Sequence, residues 1–350
     1  MNQFRVKAES FIRRRVIQAV GINPENSISL HRLERPIEVD YDLLNEYSGS
    51  KLVEIPDPRN GIVLGHYYQK RSIYQLKNVI LEPRQGLVYS EQGKLIREST
   101  QWHHYVSNYF FPWKPSKRIR SLNVKLAISM TCNPYWHWLI EDLPTTLFLL
   151  QNYPEATLLV ASNPPDYVSE FVTTLNRKIV YLDGPAKIKY LNIVSKEFDA
   201  GWPHPSDLDE IAGYRPFIKA MQTESANSKI YVSRTGSTRS PENEKEVEAI
   251  FSKHGFEIVR AEELSFLEKI QKFRNVTHLA GIHGAGLVNL IWMQPGTKML
   301  DIANENYWTE SVHRAAYLKK INYEFLLYPG NFSGEVALAD LESTLTKFID

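Results

Sequence analysis

Two groups of residues carry chemistry by type and spacing. In Asn133–Pro144 (NPYWHWLIEDLP), His137 and Glu141 are four apart, so on a helix they share one flank. An imidazole and a carboxylate at that spacing hydrogen-bond each other or converge on one proton, as general acid–base work requires. Either can take the proton; the reading assigns Glu141 as base and His137 as its partner, and the reverse fits the same residues. The plain alternative is a structural pair at a helix edge. The second group is the turn His283-Gly284-Ala285-Gly286. Its small residues leave helix-opening N–H groups open to close approach, and such amides together with the helix dipole favour an anion. Arg234, at the end of a strand, and Arg239, in a Gly/Ser/Thr loop, bring guanidiniums to the same edge and suit a diphosphate.

The elements that must position these groups follow from periodicity. Val276–Ile282 reads as a buried strand, Leu287–Met293 as a short helix and the segment ending at Ile302 as a second strand, one βαβ unit of a parallel sheet. Gly286 is expected to resist Val more than Ala, through bulk and any positive φ. From Lys229 onward strands (KIYVS, FEIVRA, YEFLLY) alternate with helices (PENEKEVEAIFSKHG, SFLEKIQKFRN, TESVHRAAYLKK, ADLESTLTKFI). That alternation predicts a doubly wound parallel sheet, with ligands at the carboxyl ends of its strands. Upstream, Asn133 is expected to cap a helix with Pro134 at its first position. Its apolar stripe is Trp136, Leu139, Ile140, Leu143 and Leu147, and Pro144 ends, kinks or restarts it. ATLLVA, KIVYL and YLNIVSK read as strands around the helix PDYVSEFVTTLN, and residues 61–130 as an irregular strand-rich region. Residues 1–60 are irregular.

Length and composition narrow the class. A chain of 350 residues suggests two domains, here 1–225 and 226–350, with the last helix packing back on the first and the boundary near 223–228. Formal net charge is +1, which argues against a dedicated nucleic-acid binder. The single cysteine, Cys132, excludes an intramolecular disulfide framework and suits a reducing cytoplasm. No window of about 18 apolar residues spans a membrane, and the basic N-terminus does not read as a signal peptide. Phe4, Phe11, Ile12 and Val16 beside Arg5, Lys7, Arg13, Arg14 and Arg15 fit peripheral contact of residues 1–20 with an anionic membrane, or a plain surface helix. Tyr105–Trp113 reads as ordinary core or a sugar-stacking platform. His103 and His104 point apart and are not read as metal ligands. Asp207-Leu208-Asp209 has the form of an Asp-x-Asp motif, but it opens a predicted helix, where capping is the simpler role.

YVSR at 231–234, Arg239, Asn243-Glu244, Gly255-Phe256, SFLEKI at 265–270, HGAGLVN at 283–289 and NPYWHWLIEDLP at 133–144 resemble glycosyltransferase family 61, over roughly residues 120–310. Three positions depart from that pattern: Lys269 where Gln is usual, Asp301 where Glu is usual, and Thr145 where Arg is common. The resemblance implies an α/β, GT-B-like fold of two Rossmann-like domains facing across a cleft, and inverting transfer from a nucleotide sugar without a metal or other cofactor. It implies nucleotide-sugar binding by Arg234, Arg239, His283, Gly284, Ala285, Gly286 and Asn289. A UDP-sugar donor, a glycan or lipid-linked acceptor, and a bacterial cytoplasmic role in capsule, exopolysaccharide or lipopolysaccharide assembly complete the expectation. Two alternatives compete. A dinucleotide-dependent dehydrogenase or epimerase lacks its G-x-G-x-x-G fingerprint, since Gly281-x-x-Gly284-x-Gly286 has the wrong order. A non-catalytic nucleotide- or glycan-binding scaffold would keep the fold without turnover.

Overall fold

The computed structural model describes residues 41–68, 70–91, 96–99, 119–196, 201–214, 217, 228–237, 239–330 and 334–350. The basic stripe of residues 1–20, the 103/104 histidines, the 105–113 aromatic run and residues 223–227 of the expected boundary lie outside them.

The chain is mixed α/β, with its strands sorted into separate sheets. The first runs in the order β1 (Tyr41–Ser48), β4 (Arg71–Glu82), β10 (Ala186–Val194), β7 (Ala127–Met130), β8 (Thr157–Ala161), β9 (Ile179–Leu182), with β5 (Leu87–Tyr89) beside β4 and β6 (Arg120–Ser121) beside β10. Strands β10, β7, β8 and β9 are parallel, whereas β4 is antiparallel to both β10 and β1. This sheet is therefore only half of a Rossmann-like pattern. A separate antiparallel hairpin pairs β2 (Lys51–Pro56) with β3 (Val63–Tyr68). Strands β1 and β2 fall in the stretch read as irregular, because residues such as Asp42, Leu43, Leu44 and Asn45 do not alternate apolar with polar.

Helix α1 crosses Pro144 without breaking: a first turn (Tyr135–His137), a π-helical stretch (Trp138–Asp142) and an α-helical stretch (Leu143–Asn152) follow one another. The N–H of Leu143 bonds the carbonyl of Trp138, five residues back. The wider turn lies just before the residue that cannot donate, so the helix continues where a proline would otherwise kink it. Asn133 does not cap α1; its amide donates to Asp142 Oδ2 at 2.7 Å instead. Trp136, Leu139, Ile140, Leu143 and Leu147 are buried as the stripe requires. Among the described residues, helices α2 (Asp166–Thr173) and α3 (Pro205–Gly213) also belong to this half.

The second sheet is wholly parallel, in the order β12 (Glu257–Val259), β11 (Ser228–Val232), β13 (Val276–Ile282), β14 (Lys298–Asn304), β15 (Asn322–Tyr328). Alternate residues feed opposite faces, as the pleat demands. Tyr231, Ala280, Ile282, Leu300 and Ile302 pack with α4 (Glu244–Lys253) and the last helix. Ile230, Val232, Leu279 and Met299 pack with α5 (Phe266–Arg274), a 3-10 helix (Ala285–Trp292) and α6 (Ser311–Leu318). Helices on both faces make it doubly wound. Among the described residues, helix α7 (Leu338–Ile349) packs on the second sheet: Leu341, Leu345 and Phe348 form its apolar stripe and bury beside Phe251 of α4 and Ile302 of β14.

One apolar core continues from α1 into the second sheet's helices. The Trp138 and Phe266 rings meet edge to face at 5.4 Å, Phe217 meets Trp292 at 5.5 Å, and the Glu170 carboxylate accepts the N–H of Phe266. Among the described residues, no helix is long and apolar enough to cross a membrane.

Candidate active site

In a parallel sheet of this order the strand direction of winding reverses between β11 and β13, and ligands sit in the crevice beyond the carboxyl ends there. Arg234 follows β11 and the His283–Gly286 turn follows β13, so the crevice has one candidate group on each lip. Arg234 Nη1 donates to the His283 carbonyl at 2.6 Å, its Nε donates to Ser237 Oγ at 3.2 Å, and its own N–H is taken by the Glu244 carboxylate. Its guanidinium lies across Gly284, so that an added Cβ there would stand 2.0 Å from Nη1. Gly284 has φ 161°, ordinary extended backbone; glycine is required by the arginine, not by the dihedral. Gly286 is also outside the left-handed region, and a Cβ there would meet Val232 Cγ1 at 2.8 Å.

Arg239 lies over the Tyr307 ring at 4.4 Å and lines a small pocket with Ile282, His283, Asn304, Tyr307 and Tyr328. Burial and the neighbouring Arg239 charge both depress the pKa of Arg234. Two cations held this close favour an anion between or beside them. The helix that the turn opens is 3-10 rather than α, and its first amides, from Ala285 and Gly286, have no acceptor within it.

His283 itself is held on all sides. Its Nδ1 lies 2.9 Å from Asp301 Oδ2 and 3.1 Å from Oδ1, and its Nε2 lies 3.1 Å from the Thr309 hydroxyl. A carboxylate only accepts, so Nδ1 carries the proton. Tyr323 donates to Asp301 at 2.9 Å and accepts from Trp308 Nε1 at 3.1 Å, which completes a buried relay behind the imidazole. Asn289 is fully buried and engaged: Tyr135 donates to its Oδ1 at 3.0 Å and its Nδ2 donates to the Gly286 carbonyl at 2.8 Å. It ties the turn to α1.

The pair on α1 is likewise brought together. His137 Nδ1 lies 3.0 Å from Glu141 Oε1. The Glu141 side chain is completely buried, not at a helix edge, while that of His137 keeps 20% of its surface exposed. Glu141 Oε1 also accepts the N–H of Gly201, whose carbonyl accepts from Trp136 Nε1 at 2.9 Å. Gly201 sits at φ +85°, a conformation that a side chain would strain. Burial opposes the imidazolium, but the hydrogen bond and charge of Glu141, aided by Asp142, outweigh it and raise the pKa of His137. With Nδ1–H given to the carboxylate, Nε2 is the basic atom. Thr145, the departure after Pro144, spends its hydroxyl on the carbonyls of Glu141 and Asp142 at 3.1 Å each.

The two constellations approach one another through residues 309–311. Thr309 touches His283, and two residues on, Ser311 opens α6 beside Gly201: a Cβ on Gly201 would stand 3.5 Å from both Ser311 Oγ and His137 Cε1. Neither Thr309, Ser311, Gly201 nor Asn304 stands out in the sequence; each acts through packing between distant segments. Lys269 covers the Tyr135 ring at 5.1 Å and is buried.

Asp207 pairs with Arg71, both completely buried, and accepts from the Tyr47 hydroxyl at 2.7 Å. It is thus engaged in an ion pair, and His204 rather than Asp207 caps α3. Among the described residues no cluster of His, Cys, Asp and Glu is arranged to hold a metal. Burial pushes the Cys132 thiol up to about 11, which makes it a poor nucleophile.

No curated protein matches the chain. Residues 135–300, which run from the start of α1 into β14 and include both constellations, match the family model described as Glycosyltransferase 61, and this supports glycosyltransferase family 61 and a glycosyltransferase activity for the chain.

Proposed function

We propose that the protein is an inverting, metal-independent glycosyltransferase that moves a sugar from a nucleotide-sugar donor to a glycan acceptor. The observation that carries this reading is the approach of His137 to the Thr309–Ser311 segment, whose other end touches the phosphate-side His283. The donor's diphosphate lies at the Gly284–Gly286 amides, with Arg234 and Arg239 as charge partners. The sugar projects toward α1, and the arrangement is GT-B-like, each sheet serving one substrate.

His137 is the base in this scheme and Glu141 its orienting partner, the reverse of the assignment favoured by sequence. Glu141 is buried beneath the imidazole and already receives the Gly201 N–H, whereas His137 reaches the surface. Nε2 of His137 takes the acceptor hydroxyl's proton as that oxygen attacks the anomeric carbon. The bond from carbon to diphosphate breaks on the opposite face, and its electron pair leaves with the nucleoside diphosphate. Arginines and helix amides aimed at that departing charge do the work a cation would otherwise do. His283, with both nitrogens held, positions the turn.

A UDP-sugar, a growing cell-surface glycan in a bacterial cytoplasm, and peripheral membrane contact through residues 1–20 extend the proposal. A thermal-shift panel of nucleotide sugars with and without EDTA tests it, since a ligand of the native state raises stability by mass action. Stabilisation by at least one nucleotide sugar, unaffected by EDTA, is expected; none by any of them would contradict the reading.

A further inference from the structure

The pocket at the carboxyl ends of β13, β14 and β15 is lined by a residue whose side-chain donor has no acceptor among the described residues. Asn304, the last residue of β14, is only 4% exposed. Its Oδ1 accepts the N–H of Asn306 at 3.0 Å, which fixes the amide's orientation. Its Nδ2 is buried and has no hydrogen-bond partner among the described residues. Such a group costs free energy unless something accepts from it. The same pocket is lined by Arg239, and its lining contains no carboxylate. Arg234 stands close enough to Arg239 for their charges to repel. A site with one lining cation and a second close by, an oriented amide donor and no acidic side chain in its lining suits an anion with several acceptor oxygens.

We propose that this pocket seats a phosphate group of the donor and that Asn304 Nδ2 donates to one of its oxygens. The inference rests on the donor reading above and adds a residue that no motif marks. Asn304 acts as a neutral ligand beside Arg239, and it orients the phosphate because its own plane is pinned by Asn306.

The test is calorimetric titration of inorganic pyrophosphate, uridine 5′-diphosphate and uridine into the wild-type chain, Asn304→Asp, Asn304→Ala and Arg239→Ala. Asn304→Asp keeps the acceptor for Asn306 and replaces only the donating nitrogen, so the fold is retained and thermal unfolding checks it. Pyrophosphate and the diphosphate are expected to bind at least about tenfold more weakly to Asn304→Asp, the loss of a charge-assisted contact, and more weakly to Asn304→Ala. Two results overturn the inference while leaving the donor reading intact. In one, Asn304→Asp binds pyrophosphate like wild type while Arg239→Ala does not. In the other, Asn304→Asp binds the diphosphate as tightly or more tightly, because a ribose hydroxyl then donates to the new carboxylate. A wild-type chain that binds neither phosphate ligand overturns both readings.

Discussion

Arg234 occupies the space that a side chain on Gly284 would need: its Nη1, bonded to the His283 carbonyl at 2.6 Å, lies 2.0 Å from the position of an added Cβ. The obstacle is the far end of a flexible side chain, so Gly284→Ala relieves it by swinging the guanidinium away. Thermal stability should change little, while nucleoside diphosphate affinity falls by the worth of a charge-assisted contact, about 1.5–3 kcal/mol. Gly286→Ala meets Val232 Cγ1 in a buried strand instead, and overpacking of that kind costs about 1–3 kcal/mol of stability. Paired unfolding and titration curves separate the two effects; equal loss of binding without loss of stability in both would refute the packing argument.

Glu141→Gln keeps the size of the side chain and removes the charge that raises the His137 pKa. With the neutral imidazole as base, as proposed, activity would rise with pH through that pKa. The acid limb of the kcat/KM profile should therefore lie above the ordinary histidine value in the wild type and move to lower pH in the variant. The stability linked to the same pair has the opposite sense. The raised folded pKa means that its contribution is full below the unfolded value and is lost as pH climbs through the folded one. An acid limb that stays in place would assign the titration to another group.

Tyr135→Phe removes the donor to the buried Asn289 Oδ1. An acceptor left unsatisfied costs about 1–3 kcal/mol, read in denaturant unfolding. Diphosphate binding should survive, since Asn289 holds the turn to α1. A large loss of binding without loss of stability would return Asn289 to the ligand site.

Arg71→Met strands the Asp207 carboxylate, and breaking a buried pair in this way costs about 3–5 kcal/mol. Glycosyl transfer by the wild type should persist in EDTA. Loss of turnover restored by Mn²⁺ would contradict the metal-independent scheme and redirect attention to Asp207 and Asp209.

Much of the second sheet was legible. Strand β13 occupies Val276–Ile282, the residues its apolar run marks, because a parallel strand buried on both faces is a continuous apolar segment bounded by turn residues. His137 and Glu141 were legible as a pair for the same local reason, four residues on one helix. What the sequence did not reveal is set by contacts between distant segments. Glu141 is buried rather than marginal because Gly201, sixty residues on, brings its N–H to it. The π-helical stretch answers a proline that local rules treat as a breaker. Asp207 resembles half of a metal motif until Arg71, far away on β4, is seen to pair with its carboxylate.

In the proposed scheme His137 takes a proton from an acceptor while the cradle beyond β11 and β13 retains the donor. The most direct measurement follows nucleoside diphosphate release and the anomeric configuration of the product by NMR, with the wild-type chain and with His137→Ala at saturating donor. Inverted configuration, unchanged donor affinity in the variant, and turnover lower by about 10²–10⁴-fold, the usual share of general-base catalysis, are expected. Retained configuration, or a His137→Ala variant that turns over like wild type, would contradict it.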